Sequence, residues 1–450
     1  MKTYPNSTRH KVKIYPSRKV DLPGADRTAM LLVAEWGPHL LSLENEDGSE
    51  VQSMTLATNK PAELGRIKPH LREKLVQIEP QKIVQIAGMA LADPDVITLH
   101  FGESDVPTAE FINKAAYDAL QNGHTFYTHR RGIPELRDSL ARHMTGLYGV
   151  PIDSDRVTVT PSAMQALMLT MMGILEEDDN IVVIGPIWPN AVAAVPFAGG
   201  VPRVVNLRNG NDGWSLDLDE LFDACDERTR GIFINSPANP TGWTVTQEQQ
   251  QSILEFARAN GLWIIADEIY TRIVYDRPVA PSFLEICEPE DPVIVLGSFS
   301  KSWAMTGWRL GWMTTPSSLG SFLENLIEYS SSGTATFIQH AGVTAVEDGE
   351  PFVASMIERC RTGREIVGRH LAALPRVRYQ EPNAAFYAFF QIDGMDDSLE
   401  FAKELVRTAK VSVAPGSAFG PAGEGWLRLC FARSAESLEV AMERLSKSLS

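Results

Sequence analysis

From Asp93 onward, short apolar runs alternate with longer amphipathic stretches. The runs are Val157–Thr160, Ile181–Ile184, Val204–Leu207, Gly231–Ile234, Leu262–Ala266 and Val293–Leu296. Each is short enough for a strand, and apolar character on successive positions predicts burial on both faces. The stretch before Ile181 places Ala166, Leu169, Thr170 and Gly173 at helical spacing, which predicts a helix with one inward face. Strands alternating with helices predict an α/β fold built on a mostly parallel sheet with helices on both sides. Such sheets bind ligands beyond the carboxyl ends of their strands. The residues that follow each run are therefore the first place to look for chemistry.

After Val293–Leu296 comes Ser298-Phe299-Ser300-Lys301-Ser302-Trp303-Ala304-Met305-Thr306-Gly307-Trp308-Arg309-Leu310-Gly311. The Lys301 amine can form a Schiff base with an aldehyde, and Arg309 can clamp a phosphate bidentately. A solvated lysine and arginine on a surface loop would give the same spacing. After Gly231–Ile234 comes Asn235-Ser236-Pro237-Ala238-Asn239-Pro240-Thr241-Gly242, dense in amide, proline and glycine beyond the needs of a plain turn. Leu262–Ala266 leads into Asp267-Glu268-Ile269-Tyr270, with carboxylates at the strand's carboxyl end. Asp267 can hold a pyridine nitrogen protonated, because an opposite charge favours the charged form. Glu268 is expected to support the turn.

In this order the motifs resemble a fold-type I pyridoxal-phosphate enzyme of the class I/II aminotransferase superfamily, from about Pro80 to the C-terminus. The elements of the resemblance are Asn239-Pro-Thr-Gly, Asp267-Glu-Ile-Tyr270, Ser300-Lys301 with Arg309, and Arg428 in Trp426-Leu427-Arg428-Leu429. It implies that Lys301 carries pyridoxal 5'-phosphate as a Schiff base and that Asp267 pairs with the pyridine nitrogen. Tyr270 and Asn239 would bond the phenolic oxygen, Ser298 and Arg309 the phosphate, and Arg428 the substrate α-carboxylate. Pro161-Ser162-Ala163-Met164 after Val157–Thr160 suits a helix start, with proline at the first helical position and the backbone of Ala163 and Met164 facing phosphate. Met164 departs from the family pattern, which has a hydroxyl or polar residue there. Trp188 matches the aromatic that stacks on the ring, against a competing reading as a core tryptophan. Gly102 matches a loop glycine near the substrate carboxylate. Tyr127 matches a tyrosine that reaches the phosphate of a neighbouring subunit, which implies a homodimer with shared active sites. The resemblance also implies a large cofactor-binding domain over residues 121–336 and a smaller α+β domain from 81–120 with 337–450.

Composition narrows the setting. The 450 residues carry 44% hydrophobic and 22% charged residues, ordinary for a globular enzyme. A net charge of −16 argues against a nucleic-acid surface, and no apolar stretch approaches the roughly 20 residues of a membrane span. Cys225, Cys287, Cys360 and Cys430 are widely spaced and the histidines show no ligand spacing, so free thiols, no metal and a cytoplasmic location are expected. Residues 1–80 are longer than a usual entry segment. They begin as a basic arm and contain Asn45-Glu46-Asp47-Gly48-Ser49 between apolar runs, a β-hairpin signal.

Transamination between an α-amino acid and a 2-oxo acid is the expected reaction, through a quinonoid carbanion delocalised into the ring. The same cofactor also supports β/γ-elimination, replacement or carbon–carbon bond formation, for example with S-adenosylmethionine. A regulator with an aminotransferase-like domain is a third reading. Against it, residues 1–80 balance twelve Lys/Arg with ten Asp/Glu and show no helix-turn-helix pattern. A second arginine, often from another subunit, would mark a dicarboxylate enzyme, and the sequence does not rank Arg130, Arg131 and Arg433 for that place.

Overall fold

The structure, a computed structural model, describes residues 71–449. The expected hairpin and basic arm lie outside the described residues. All six expected runs form strands: Val157–Thr160 (β1), Asn180–Gly185 (β2), Val201–Asn206 (β3), Thr229–Asn235 (β4), Trp263–Asp267 (β5) and Val293–Ser298 (β6). A seventh, Gly311–Thr314 (β7), was not foreseen. They form one sheet in the order β1-β7-β6-β5-β4-β2-β3. Only β7 runs against its neighbours.

The unbroken apolar runs have a simple cause. Alternate side chains along a strand point to opposite faces, and here both faces are buried. Ile181, Val183, Phe233, Ile265 and Leu296 pack on one side with Leu167, Leu169 and Met171 of the helix Ala163–Ile174. Val182, Ile184, Ile232, Ile234, Ile264 and Val295 pack on the other. Ala166, Leu169 and Thr170 of that helix are buried as expected, whereas Gly173 is exposed. The edge strand β3 begins three residues before the expected run, and there Val201 and Val204 remain each 44% exposed.

A second, antiparallel sheet joins Val377–Tyr379 (β8), Tyr387–Ile392 (β9), Ala414–Pro415 (β10) and Trp426–Cys430 (β11) in the order β8-β9-β11-β10. Its core takes residues from the helices Lys82–Leu91, Glu350–Ala372, Ser398–Thr408 and Ala435–Leu449. Ile97 and Thr98 pair in parallel with Val411 and Ser412, which fixes the segment leading into Gly102 against this sheet. Core membership crosses the expected boundaries at several places. Val353 of Glu350–Ala372 joins the core of the seven-stranded sheet, and Tyr270, Ile273 and Tyr275 join that of the second sheet. Two further helices cross as a pair. Ile112 and Ala116 of Glu110–Gln121, and Ala341 and Ala345 of Thr336–Asp348, lie in the core of the seven-stranded sheet. The two helices pack on one another, so their apolar stripes close over the same face.

Candidate active site

Strand direction assembles the site. In β4, β5 and β6 the last residues are Asn235, Asp267 and Ser298, and parallel pairing brings these carboxyl ends to one edge of the sheet. Because β7 runs the other way, its first residue, Gly311, sits opposite Ser298 and Thr160. Arg309 therefore arrives beside Ser298 and the start of the helix Ala163–Ile174. A Cβ on Gly311 would lie 2.4 Å from the Ala163 nitrogen, so this approach requires glycine. The helix begins one residue after Ser162, whose Oγ accepts the Gln165 N–H at 3.0 Å. Pro161 is thus not the first helical residue; the serine cap supplies the start instead.

These elements enclose a cavity of about 270 Å³. Its wall includes Ala163, Met164, Trp188, Asn239, Asp267, Tyr270, Ser298, Lys301, Arg309, Arg428 and Gly102. Every expected site residue except Tyr127 is there. Tyr127 is 87% exposed and lies outside the wall. A larger groove of about 640 Å³, beside Trp243, Gln249 and Arg277, carries none of these groups.

The turn after β4 is fixed by Asn235, whose Oδ1 accepts the Asn239 N–H at 2.8 Å while its Nδ2 donates to the Asp267 carbonyl at 3.1 Å. That leaves the Asn239 side chain free to turn toward β11, where its Oδ1 accepts from Arg428 Nη1 at 3.1 Å. Arg428 also donates to the His100 carbonyl and lies over the rings of Tyr387 at 4.5 Å and Phe419 at 5.0 Å. Its buried Nε has no partner among the described residues. Tyr270 and Tyr387 share a 2.7 Å hydrogen bond between their hydroxyls. Lys301 Nζ donates to the Gly102 carbonyl at 2.7 Å.

Burial sets the electrostatics. It pushes the Asp267 carboxyl up to about 7, opposed by the Ile269 N–H and by the charge of Lys301. It pulls Lys301 down to about 8, with Cys430 and Glu103 acting the other way. Glu268, raised to about 8 by burial, accepts the Phe283 N–H at 3.0 Å and braces the turn. His100 is lowered to about 4, first by burial and then by Arg428 and Arg433, so its imidazole is neutral at physiological pH. Arg309 lies in the left-handed region, with φ 53°, and donates to the Thr306 carbonyl at 2.8 Å. No carboxylate pairs with it among the described residues.

The sequence matches the profile of aminotransferase class I and II over residues 94–445. The chain belongs to this family. It is 34% identical over 385 residues to an aspartate aminotransferase of Pyrococcus horikoshii, covering 85% of this chain and 98% of that protein. It is 33% identical over 385 residues to aromatic-amino-acid aminotransferase 2 of Thermococcus litoralis, covering 84% and 98%. Among solved structures, the Thermus thermophilus aspartate aminotransferase with maleate superposes with a TM-score of 0.79 at 30% identity, over 85% of this chain and 100% of that one. The protein is a pyridoxal-phosphate-dependent aminotransferase with the fold-type I architecture, and it acts on amino acids and 2-oxo acids.

The donor set of this aminotransferase fits the cofactor. A buried carboxyl without a hydrogen-bonding cation, Asp267, suits a protonated ring nitrogen. An arginine without a carboxylate, a serine at the strand end and the first N–H groups of a helix suit a phosphate. Sequence reasoning missed Tyr387, His100, Asn235, Gln81, Ile83 and Val84, all in the cavity wall. Tyr387 stands in the run Ala384–Phe390, where a buried phenol that needs a partner was the available signal. Arg130, Arg131 and Arg433 do not line the cavity of their own chain. Arg130 pairs with Glu328, and Arg131 donates to Thr158 Oγ1 at 2.9 Å and to the Asp155 carbonyl at 2.5 Å.

Proposed function

We propose that this aminotransferase works through Lys301 as covalent anchor and base, with Asp267 on the ring nitrogen and Tyr270 and Asn239 at the phenolic oxygen. Ser298, Arg309 and the Ala163 and Met164 N–H groups hold the phosphate, Trp188 covers the ring, and Arg428, with Gly102 and Asn239, receives the substrate α-carboxylate. When bound, the cofactor supplies an aldehyde that captures amines and a pyridinium ring that accepts the electrons of the Cα–H bond. The observation that carries the reading is the convergence on one cavity of Lys301, Asp267, an Arg309 paired with no carboxylate and the unpartnered Arg428 Nε among the described residues.

Each residue has a task its surroundings support. Burial lowers Lys301 to about 8, so a useful fraction of the amine is neutral and able to take a proton. Lys301 Nζ takes the substrate Cα proton and delivers it to the next acceptor, the step that makes the reaction an amino transfer. Asp267 stays ionised beside a bound ring cation, since an opposite charge outweighs part of its desolvation. Arg428 offers a planar fork to the carboxylate, held in direction by Asn239 and by the Tyr387 ring.

The donor side chain is read as uncharged. Among the described residues of this chain, the titratable groups in the wall besides His100 and the tyrosines are Asp267, Lys301, Arg309 and Arg428, and all four have tasks above. Ile83, Val84, Phe101 and Leu167 supply apolar surface. The active unit is proposed to be a homodimer, in which the exposed Tyr127 reaches the partner's phosphate site. Its four cysteines are free thiols, which suits the cytoplasm. Among the described residues, no helix is long and apolar enough to cross a membrane. The cofactor-binding domain is taken as residues 121–336 with the helices Glu110–Gln121 and Thr336–Asp348. The smaller domain takes the remainder of 81–120 and 337–450.

The test is a half-reaction screen. Holoenzyme is mixed with single amino acids, and loss of visible cofactor absorbance is matched to the 2-oxo acid formed. One oxo acid per site with apolar or aromatic donors supports the reading. Elimination products with unchanged cofactor absorbance would replace it with a lyase.

A further inference from the structure

Tyr387 belongs to β9, and its ring and hydroxyl are fully buried. Its hydroxyl lies 2.7 Å from that of Tyr270, and no other hydrogen-bond partner is found for either group among the described residues. Burial pushes both phenols well above their ordinary range, so each keeps its proton. Two protons thus share one mutual bond, and one proton must point elsewhere. The geometry of the bond fits either direction, and if Tyr270 donates to Tyr387 the spare proton is that of Tyr387, whose oxygen abuts Gly102. A Cβ there would lie 2.2 Å from Tyr387 Oη. The Gly102 carbonyl already accepts from Lys301 Nζ. A buried donor left unmade costs more than a made bond returns. If Tyr387 donates to Tyr270, the spare proton belongs to Tyr270, the residue placed above at the cofactor's phenolic oxygen; both tyrosines line the cavity.

We propose that Tyr387 is a positioning residue for the amino-transfer reaction: its hydroxyl donates to Tyr270 Oη, fixing and strengthening the Tyr270 O–H as a donor toward the cofactor's phenolic oxygen. This rests on the placement of Tyr270 against that oxygen proposed above. A hydroxyl that accepts one hydrogen bond becomes a better donor of the next. The same side chain lays its ring over Arg428 at 4.5 Å, so one residue orients the groups at both ends of the substrate site. A purely packing role would need the ring alone.

The consequence is a proton affinity. With cofactor bound, the Lys301 nitrogen would share its proton with the phenolic oxygen, and Tyr270 would donate to the same oxygen. A stronger Tyr270 donor competes with that sharing and lets the Lys301 nitrogen release its proton at lower pH. Tyr387→Phe keeps the ring on Arg428 and removes only the hydroxyl. The pH midpoint of the bound cofactor's visible absorbance should then rise by on the order of 0.3 unit. KM for the amino donor should stay within about twofold, because the contact with Arg428 survives.

The experiment is a spectroscopic pH titration of holoenzyme in four forms: wild type, Tyr387→Phe, Tyr270→Phe and the double variant. Tyr270→Phe should raise the midpoint by more than Tyr387→Phe, and the double variant should match Tyr270→Phe alone. Gly102→Ala, which crowds Tyr387 Oη, should shift the midpoint in the same direction as Tyr387→Phe. If Tyr270→Phe shifts the midpoint and neither Tyr387→Phe nor Gly102→Ala does, the relay is wrong while the reading of Tyr270 stands. An equal Tyr387→Phe shift in both Tyr270 backgrounds also overturns the relay. If Tyr270→Phe itself leaves the midpoint unchanged, the placement of Tyr270 falls and the relay with it.

Discussion

Lys301 Nζ donates to the carbonyl oxygen of Gly102 at 2.7 Å, across 199 residues of chain. Lys301 follows β6 of the parallel sheet, and Gly102 follows the Ile97–Thr98 pairing with Val411–Ser412. The Cys430 N–H, donating to the Leu99 carbonyl at 2.9 Å, ties that loop to β11. The amine is therefore held between the two sheets, part-buried in the cavity wall, and its protonation state follows from that placement.

Capture of cofactor by the apoenzyme should report this directly. The neutral amine is the nucleophile, and burial sets its midpoint at about 8 rather than the ordinary lysine range. Below that midpoint the bimolecular rate should fall roughly tenfold per pH unit, and above it the rate should level off. Stopped-flow absorbance measures it. A rate still climbing steeply at pH 10 would mean the amine is solvated.

Asp267→Asn should keep the fold and bind cofactor, since the amide is isosteric and the phosphate contacts remain. Without the carboxylate charge the ring nitrogen loses its reason to stay protonated. The deprotonation step should slow by on the order of 10²- to 10³-fold, the usual loss on deleting one preorganised electrostatic group. A substrate deuterated at Cα would show a larger rate difference in the variant. An unchanged kcat would assign the role to another acid.

Much of this site was legible before the fold was known. The strands were readable because both faces of the parallel sheet are buried, which leaves the apolar runs Ile181–Ile184 and Leu262–Ala266 unbroken. The chemistry was readable because parallel strands deliver their final residues, Asp267 and Ser298, to one edge. Other features left no such trace. β7 has only four residues, starts on a glycine and follows the Arg309 motif, so nothing marked it as a strand. Tyr387 hid among Phe386, Phe389 and Phe390, where its hydroxyl looks like one more aromatic ring. The helix Glu110–Gln121 has an apolar stripe, but a stripe does not say which of two sheets it will cover.

Arg428→Lys should separate substrate from cofactor. Lysine keeps the positive charge and loses the planar two-point match to a carboxylate, as well as the fork that reaches both Asn239 and the His100 carbonyl. KM for the amino donor should rise by about 10- to 100-fold, the scale of one charge-assisted hydrogen bond. The dissociation constant of the cofactor should hold. The opposite pattern, weakened cofactor with an intact KM, would exchange the roles of Arg428 and Arg309.

Tyr127 offers a test of shared sites. It is 87% exposed and stands outside its own chain's cavity wall. If it serves the partner's phosphate, Lys301→Ala and Tyr127→Ala subunits should complement on mixing. The mixed dimer has one site with both lesions and one with neither. Activity after subunit exchange should recover toward a quarter of wild type, since about half the dimers are mixed and each has one intact site. No recovery, with exchange verified by mass spectrometry, would put Tyr127 to work within its own subunit.

The central claim is that the Lys301 nitrogen bonds the cofactor. Borohydride reduction of holoenzyme, followed by proteolysis and peptide mass mapping, tests it most directly. The account predicts a reduced pyridoxyl-phosphate adduct on the Lys301 peptide at one per chain, and none in Lys301→Ala. An adduct on any other lysine, or no adduct in a catalytically active preparation, would contradict it.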